Sequence, residues 1–151
     1  MNLVFAFGSN LSEVQMRRRC PAAALVGTAT LRGYRLAFAG FSMTWQGAVA
    51  TILPARGLRV PGVLYAVAPE DLARLDRFEG VPFLYSRQER GALDRRRHQT
   101  RPAHVYELPA NTPLGEPSSD YVLTILRAYR QLGLSLDALA SALAFSKERS
   151  Q

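Results

Sequence analysis

The sequence predicts an α+β fold that is built around a mixed β-sheet. Apolar residues make up 48% of the 151 residues and no low-complexity tract interrupts them, so the chain can bury a core of its own. Segments rich in β-forming residues cluster in the middle of the chain, whereas doubly wound folds alternate strands and helices strictly. We therefore predict a single domain over residues 1–151, with five or six strands and about four helices.

The first unit is predicted to be a strand, a polar turn and a helix. Residues 3–7 form a short apolar and aromatic run, which the turn sequence Gly-Ser-Asn at residues 8–10 ends. Ser12 has the residue type of a helix N-cap, and Gln15 stands three residues later, at the capping-box spacing. A helix is therefore expected to begin directly after Ser12.

The middle of the chain is predicted to hold strands followed by one helix. The strands are expected at residues 31–38, 47–53 and 62–67, separated by Gly and Pro positions. A helix should then begin at Pro69, because proline and the two acidic residues after it suit the first helical turn. It is expected to run to about Glu79 and to end at Gly80.

The second half of the chain is predicted to contain two strands and two helices. The strands are expected at residues 85–92 and 103–108, with a polar loop at residues 94–101 between them. Apolar residues then recur at helical spacing over residues 121–132, up to Gly133. A last short helix is expected to begin near a cap at Ser135.

The net charge of +7 comes largely from arginine and raises the question of a polyanionic partner. Two short runs at residues 17–19 and 95–97 supply much of it. Neither run has interleaved aromatic residues or a recognisable nucleic-acid-binding module around it. We therefore interpret both runs as solvated and predict no nucleic-acid partner.

Cysteine and histidine usage predicts a reducing compartment and no metal site. Cys20 is the only cysteine, and together with His98 and His104 it offers no zinc-ligand spacing. Residues 1–11 lack the basic region of a signal peptide, and no apolar run is long enough to span a bilayer. The sequence thus predicts a cytoplasmic protein without a membrane partner.

The turn at residues 8–10 is the first candidate functional element. Glycine in a turn lets backbone N–H groups converge, and a following helix start favours an anion. The loop is therefore a candidate cradle for a carboxylate. The alternative is an ordinary turn, since Gly, Ser and Asn are also common turn residues.

Glu79 is the candidate acid–base residue. It shares a helix face with Leu72 and Leu75, at spacings that predict a core-facing stripe. A buried carboxylate must be hydrogen-bonded or have a raised pKa, which suits proton transfer. One alternative stays open: Glu79 points outward at the helix end. The neighbouring Asp76, one turn earlier, is expected to face solvent. We interpret both histidines as structural and Cys20 as an incidental small residue.

Four short motifs occur in order along the chain: FAFGSNL at residues 5–11, the paired strand segments WQGAVAT at 45–51 and PGVLY at 61–65, LDRFEG at 75–80 followed by Tyr85, and PSSDY at 117–121. In this order and spacing they resemble the gamma-glutamylcyclotransferase family, including small bacterial members and the plant AIG2-like proteins. The first resembles the family's Tyr-Gly-Ser-Asn loop, the third its catalytic-glutamate segment, and the last its Ser-Pro-x-Tyr helix start. The resemblance extends over roughly residues 3–143.

Two positions depart from the family pattern. Phe7 replaces the loop tyrosine, so any hydrogen bond from that hydroxyl is missing, although backbone N–H donors of the loop do not depend on it. Residues 119–121 are Ser-Asp-Tyr in place of the family's sequence, which alters the helix entry before Tyr121.

The resemblance implies a small mixed β-barrel with flanking helices and an enzyme that needs no metal or cofactor. Its small-molecule substrate would be a gamma-glutamyl amide or amino acid, which cyclises to 5-oxoproline and releases the free amine. Glu79 would be the general acid–base. The implied substrate-contacting residues are Phe7, Gly8, Ser9, Asn10, Leu11, Tyr85 and Tyr121.

Two alternative functions remain open from the sequence. The first is a relative that acts on another gamma-glutamyl amine, such as a biosynthetic intermediate that carries this group for protection. The second is a non-catalytic module whose loop at residues 8–10 binds a small carboxylate or an acidic partner. A core-facing Glu79 argues against the module, because an idle buried carboxylate is readily replaced by an apolar residue.

Overall fold

A closed barrel of five strands forms the centre of the fold in a computed structural model, which describes residues 2–150. The strands are β1 (Asn2–Ala6), β2 (Ala24–Ser42), β3 (Gly47–Val67), β4 (Ser86–Asp94) and β5 (Gln99–Glu107). Their order around the barrel is β1-β3-β2-β4-β5. Neighbouring strands pair antiparallel, except that β5 closes the barrel by pairing parallel to β1. The predicted α+β barrel is confirmed.

The long hairpin of β2 and β3 makes up most of the barrel wall. The prediction of three separate strands at residues 31–38, 47–53 and 62–67 is wrong, since these segments belong to two continuous strands. The register shift between Arg32 and Tyr34 of β2 lies opposite residues 54–59 of β3, where proline and glycine were expected to separate two strands. A β-bulge absorbs an extra residue by bending a strand without ending it.

Four helices flank the barrel. They are α1 (Glu13–Arg19), α2 (Pro69–Phe78), α3 (Ser119–Leu132) and α4 (Asp137–Arg149), and a 3₁₀ turn (Ser9–Leu11) precedes α1. The predicted N-cap is confirmed, because the Ser12 hydroxyl accepts the N–H of Gln15 at 3.3 Å. The Gln15 side chain, however, contacts the Ser9 hydroxyl at 2.7 Å, so it does not close a capping box.

The predicted ends of the remaining elements need small corrections. The loop between β4 and β5 covers only residues 95–98, and its arginines are exposed as expected. It is short because Asp94, which is 1% exposed, accepts the backbone N–H groups of Arg96 and Arg97 at 3.1 Å each and so holds a tight turn. Helix α4 begins two residues after the predicted cap at Ser135.

The segment before α3 lies along the barrel and fixes where that helix begins. Gly115 donates its N–H to the Phe38 carbonyl, and Ala48 donates its N–H to the Glu116 carbonyl, each at 3.0 Å. A Cβ on Gly47 would lie 2.6 Å from the backbone nitrogen of Ser118, so only glycine allows this approach. The first turn of α3 is therefore held against the start of β3.

The core fills the barrel and the space beneath the helices. Its largest fully buried side chains include Tyr65, Tyr129, Phe5, Phe38, Leu11 and Met16. Across residues 2–150, none of the helices is both long enough and apolar enough to cross a bilayer.

A buried hydrogen bond joins α4 to the barrel and yields the first prediction. The Ser146 hydroxyl accepts the N–H of Phe38 at 2.8 Å, and both residues are fully buried. Ser146→Ala leaves that N–H without a partner, so we expect the free energy of unfolding to fall by about 1–3 kcal/mol. Chemical denaturation measures the change.

The control is Ser141→Ala on the same helix, where the serine is exposed. The free energy of unfolding of this variant should stay within about 0.5 kcal/mol of that of the parent chain. Equal losses of stability in the two variants would show that the buried hydrogen bond does not anchor α4.

Candidate active site

A cavity of about 120 Å³ lies at one end of the barrel, between the loop after β1 and the end of α2. It brings together seven of the eight site residues predicted from the sequence: Phe7, Gly8, Ser9, Asn10, Glu79, Tyr85 and Tyr121. Leu11 is not among its lining residues and packs into the core at 2% exposure. Segments from both ends of the chain therefore converge on one small site.

Glu79 caps the C-terminus of α2 and turns its carboxylate into this cavity. Leu72 and Leu75 on the same face are buried, as the spacing predicts. The helix ends at Phe78, and the positive φ of Gly80 (68°) redirects the chain immediately afterwards. The Glu79 side chain is only 15% exposed, so the outward-pointing alternative is wrong.

The Glu79 carboxylate has two polar partners. Its Oε1 atom accepts a hydrogen bond from the Asn10 side-chain amide at 2.9 Å and lies 3.4 Å from a guanidinium nitrogen of Arg19. Burial raises the pKa of Glu79 above the ordinary value, while the charge of Arg19 and the hydrogen bond from Asn10 oppose that rise. The net result is a carboxyl group with its pKa moved towards neutrality.

Asn10 is held so that its amide nitrogen faces Glu79. The Asn10 Oδ1 atom accepts hydrogen bonds from Gln15 and Arg19, each at 3.1 Å. The Tyr65 hydroxyl donates to the Asn10 backbone carbonyl at 3.0 Å. With its oxygens occupied in this way, the side chain can present only its N–H₂ group to the carboxylate.

The loop that contains Asn10 approaches the barrel wall closely. A Cβ on Gly8 would lie 3.0 Å from the Ala50 Cβ and 3.2 Å from the Tyr121 hydroxyl, which explains the glycine. Within the turn, the N–H groups of Leu11 and Ser12 donate to the carbonyls of Gly8 and Ser9, each at 3.0 Å. The N–H groups of residues 8–10 come before these bonds, in the position of the unpaired donors at the start of a helix.

Tyr85 and Tyr121 contact the backbone of the same residue on β3. The Tyr85 hydroxyl donates to the Ala50 carbonyl, and the Tyr121 hydroxyl accepts the Ala50 N–H, both at 2.9 Å. Burial raises the pKa of each phenol, so both keep their protons at neutral pH. The Trp45 ring packs edge-on against Tyr121 with a centroid separation of 4.9 Å.

Arg19 is the site residue that the sequence interpretation missed. The arginine run at residues 17–19 was interpreted as solvated, which is correct for Arg17 and Arg18 but wrong for Arg19, whose side chain is 19% exposed. Met16 lies three residues before Arg19, is fully buried and shares its helix face. The helical spacing of Arg19 from the apolar Met16 could therefore have indicated that Arg19 faces the protein.

Other chemically reactive groups have structural surroundings. Cys20 is buried, and burial raises the pKa of its thiol to about 11, so it is a poor nucleophile at neutral pH. Asp76 was expected to face solvent but is only 24% exposed, and it accepts hydrogen bonds from Arg87 at 2.9 Å and from Tyr106 at 2.7 Å. In the part of the chain that the structure describes, no three His, Cys, Asp or Glu residues are grouped to hold a metal ion.

The fold and the cavity define a class of small β-barrel proteins with one buried carboxylate at the barrel end. A family model described as gamma-glutamyl cyclotransferase, AIG2-like, matches residues 4–123. The chain therefore belongs to this family, and the resemblance seen in the four motifs is confirmed.

Characterised relatives match about half of the chain. It is 39% identical over 83 residues to human gamma-glutamylcyclotransferase and 37% identical to the bovine protein. In each case the match covers 52% of this chain and 44% of the relative, so the chain spans less than half the length of these relatives.

Solved structures match nearly the whole chain. One named gamma-glutamyl cyclotransferase is 28% identical, has a TM-score of 0.84 and covers 97% of this chain and 85% of its own. A yeast gamma-glutamyl cyclotransferase specific to glutathione has a TM-score of 0.66 and covers 99% and 96% of the two chains. At 14% identity, the yeast structure bears on the fold alone.

The contacts of Glu79 generate the second prediction. Because the charge of Arg19 lowers the pKa of Glu79, Arg19→Gln should raise it further. Titration of the Glu79 side-chain carboxyl carbon by NMR measures the change. Arg18→Gln is the matched control, since Arg18 is exposed on the same helix and carries the same charge. An unchanged Glu79 pKa in Arg19→Gln, or equal shifts in the two variants, would contradict the assigned role of Arg19.

Proposed function

We propose that this chain catalyses the cyclisation of a gamma-glutamyl amide or amino acid to 5-oxoproline, with release of the free amine and with Glu79 as general acid–base. The observation that carries the proposal is the shared cavity of Glu79 and the loop at residues 8–10, joined by the 2.9 Å bond from Asn10. Membership of the cyclotransferase family supports the reaction class.

The proposed reaction forms one C–N bond and breaks another. The substrate α-amine, once deprotonated, attacks its own γ-carbonyl carbon and closes a five-membered lactam ring. Glu79 takes the proton that the attacking nitrogen gives up and delivers it to the leaving nitrogen, so the old amide bond breaks. A single carboxylate serves both steps, and its raised pKa suits it to accept a proton and to return it.

The loop at residues 8–10 is proposed to bind the substrate α-carboxylate. Its three residues line the cavity, and backbone N–H groups of a tight turn form a favourable anion site. Binding the carboxylate there would place the α-amine near Glu79 and fold the glutamyl chain towards ring closure. Such positioning contributes on the order of several kcal/mol in well-oriented intramolecular reactions.

Other residues of the cavity are proposed to shape it. Tyr85 and Tyr121 hold Ala50 and the wall beside the loop, and they remain our candidates for orienting the substrate or Glu79. Phe7, in place of the family tyrosine, stacks on Phe5 with ring centroids 6.2 Å apart. Since Leu11 is buried in the core, we propose that it supports the loop from beneath.

The size of the cavity favours a small substrate. Its volume of about 120 Å³ is below the roughly 300–1,000 Å³ of pockets that enclose drug-sized ligands. We propose that it encloses the glutamyl group, and that the leaving amine extends past Phe78 and Leu84 at the mouth, where both side chains are exposed. The reduced, buried Cys20 is compatible with the cytoplasmic setting that we propose.

A non-catalytic carboxylate-binding module is the second candidate function. It would use the same loop but would not need an ionisable group opposite it. Burial penalises the charged form of Glu79, and a module that moves no proton would gain nothing from an ionisable group at this position. The position of Glu79 therefore favours the enzyme.

The third prediction tests the proposed general acid–base. Glu79→Gln keeps the shape of the side chain and can still accept the hydrogen bond from Asn10, but it cannot transfer a proton. We expect 5-oxoproline release to fall by about 100-fold or more, with thermal stability unchanged or slightly higher. The assay measures 5-oxoproline from gamma-glutamyl-alanine, gamma-glutamyl-ε-lysine, glutathione and gamma-glutamyl anilide.

The matched control is Glu70→Gln, which makes the same substitution at an exposed position of α2. It should retain full activity. No release from any of the four substrates by the parent chain would favour the binding module, whereas near-normal turnover by Glu79→Gln would assign proton transfer to another residue.

The fourth prediction concerns pH. Glu79 acts as a base only when ionised, so kcat/KM should fall as the pH decreases through the pKa of this residue. Because burial raises that pKa, the fall should occur at a higher pH than for an ordinary glutamate. An acid limb at or below the ordinary glutamate range would contradict the assignment.

The same shift has a consequence for stability. Between the ordinary pKa of a glutamate and the raised pKa of Glu79, the folded chain binds more protons at this residue than the unfolded chain does. The contribution of Glu79 to stability therefore falls as the pH rises through that window. Denaturation of the parent chain and Glu79→Gln at several pH values should show this difference in slope.

A further inference from the structure

A second cavity, of about 760 Å³, lies on the outside of the barrel. It is bordered by the middle of β2 and β3, by Arg95 after β4, and by the connection between α3 and α4. None of its lining residues lines the cavity of Glu79. Its volume lies within the range of pockets that bind small organic ligands.

Three arginines line this second cavity: Arg35, Arg59 and Arg95. Within residues 2–150, no ion pair is formed by any of the three. One carboxylate, that of Asp137, also lines the cavity, so positive charge prevails there.

Arg35 is the most firmly held of the three arginines. Its Nε atom is enclosed by protein and has no hydrogen-bond partner among the residues that the structure describes. Its guanidinium packs over the Phe145 ring at 3.5 Å from the centroid, which holds the group in place beside the cavity. Burial, together with the charge of Arg149, lowers the pKa of Arg35, and no carboxylate among the described residues opposes that shift.

The strand pairing brings a further arginine to the same place. Arg32 on β2 lies directly opposite Arg59 on β3, and both side chains are exposed. Like charges in directly opposed positions destabilise a sheet. Arg32 also lines a smaller cavity that shares Arg59 and Arg95 with the large one. Among the described residues, four arginines thus line these two adjoining cavities, and Asp137 is the one carboxylate beside them.

The rest of the cavity wall is apolar or carries hydroxyl groups. Apolar contacts are available from Leu36, Leu58, Pro61, Leu132 and Leu134, and hydroxyl groups from Thr28, Thr30 and Ser135. Arginine binds phosphate oxygens through two parallel N–H bonds, and several arginines together suit a dianion better than a single carboxylate. A ligand with a phosphate group and an apolar body would match both parts of the wall.

We propose that this cavity binds a small organic phosphate monoester. The phosphate group is held by Arg35, Arg59 and Arg95, and the apolar body lies against Leu36 and Leu134. This cavity shares no lining residue with the Glu79 cavity, so the proposal does not depend on the proposed cyclisation. A nucleic acid is the competing occupant, but the apolar wall favours a ligand with a compact apolar body.

Isothermal titration calorimetry with phenyl phosphate tests the proposal, alongside inorganic phosphate and benzyl alcohol as partial ligands. Phenyl phosphate should bind the parent chain more tightly than inorganic phosphate does, and benzyl alcohol should not bind. Arg59→Gln and Arg35→Gln should each weaken phenyl phosphate binding by about tenfold or more, which corresponds to a loss of one charge-assisted contact. Arg59 is exposed, so its variant keeps the test valid if Arg35→Gln does not fold.

The matched control is Arg18→Gln, which removes the same charge from an exposed position on α1 and should leave binding unchanged. Glu79→Gln should bind phenyl phosphate as the parent chain does. Backbone NMR shifts should locate the ligand near Thr30 and Leu134. No binding of phenyl phosphate, equal weakening in Arg18→Gln, or shifts confined to the Glu79 cavity would overturn the proposal. So would binding of a 20-nucleotide single-stranded DNA with a steep salt dependence but none of phenyl phosphate.

Discussion

The burial of one carboxylate is the constraint on which the rest of the candidate site depends. Glu79 is mostly shielded from water, so its charged form needs hydrogen-bond donors and a nearby cation. The donor comes from Asn10 in the loop after β1, and the cation comes from Arg19 at the end of α1. The relative positions of the loop, α1 and α2 are thus tied together by a single group, and each of these elements must be in place before that group is stabilised.

The backbone of Ala50 on β3 likewise joins several elements, on the barrel side of the cavity. Its N–H and C=O groups contact the hydroxyls of Tyr121 and Tyr85, which come from α3 and from the segment before β4. Gly8 fits between Ala50 and Tyr121 because it has no side chain. Elements that are distant in sequence are therefore joined at one point of β3. These two hydrogen bonds hold α3 and the segment before β4 against the same wall of the cavity.

Charge is distributed unevenly over this arginine-rich chain. At the barrel end, Arg19, Arg87 and other arginines have carboxylate partners, and the net charge of each cluster is small. On the outer face of β2 and β3, guanidinium groups lie together around a larger cavity with one carboxylate. Part of the net charge of +7 is therefore an exposed excess of arginine on this face. Within residues 2–150, the first cavity holds a carboxylate that is paired with an arginine, and the second is lined by three arginines that form no ion pair.

The sequence by itself determined the fold class, the first helix cap, the loop at residues 8–10 and the core-facing position of Glu79, because these follow from local turn chemistry and helical periodicity. It did not determine the continuous strands β2 and β3, since register shifts within a strand become visible only when a partner strand is present. Nor did it identify Arg19 as a contact of Glu79. That contact joins residues 60 positions apart, and only the packing of α1 beside α2 brings the two side chains together.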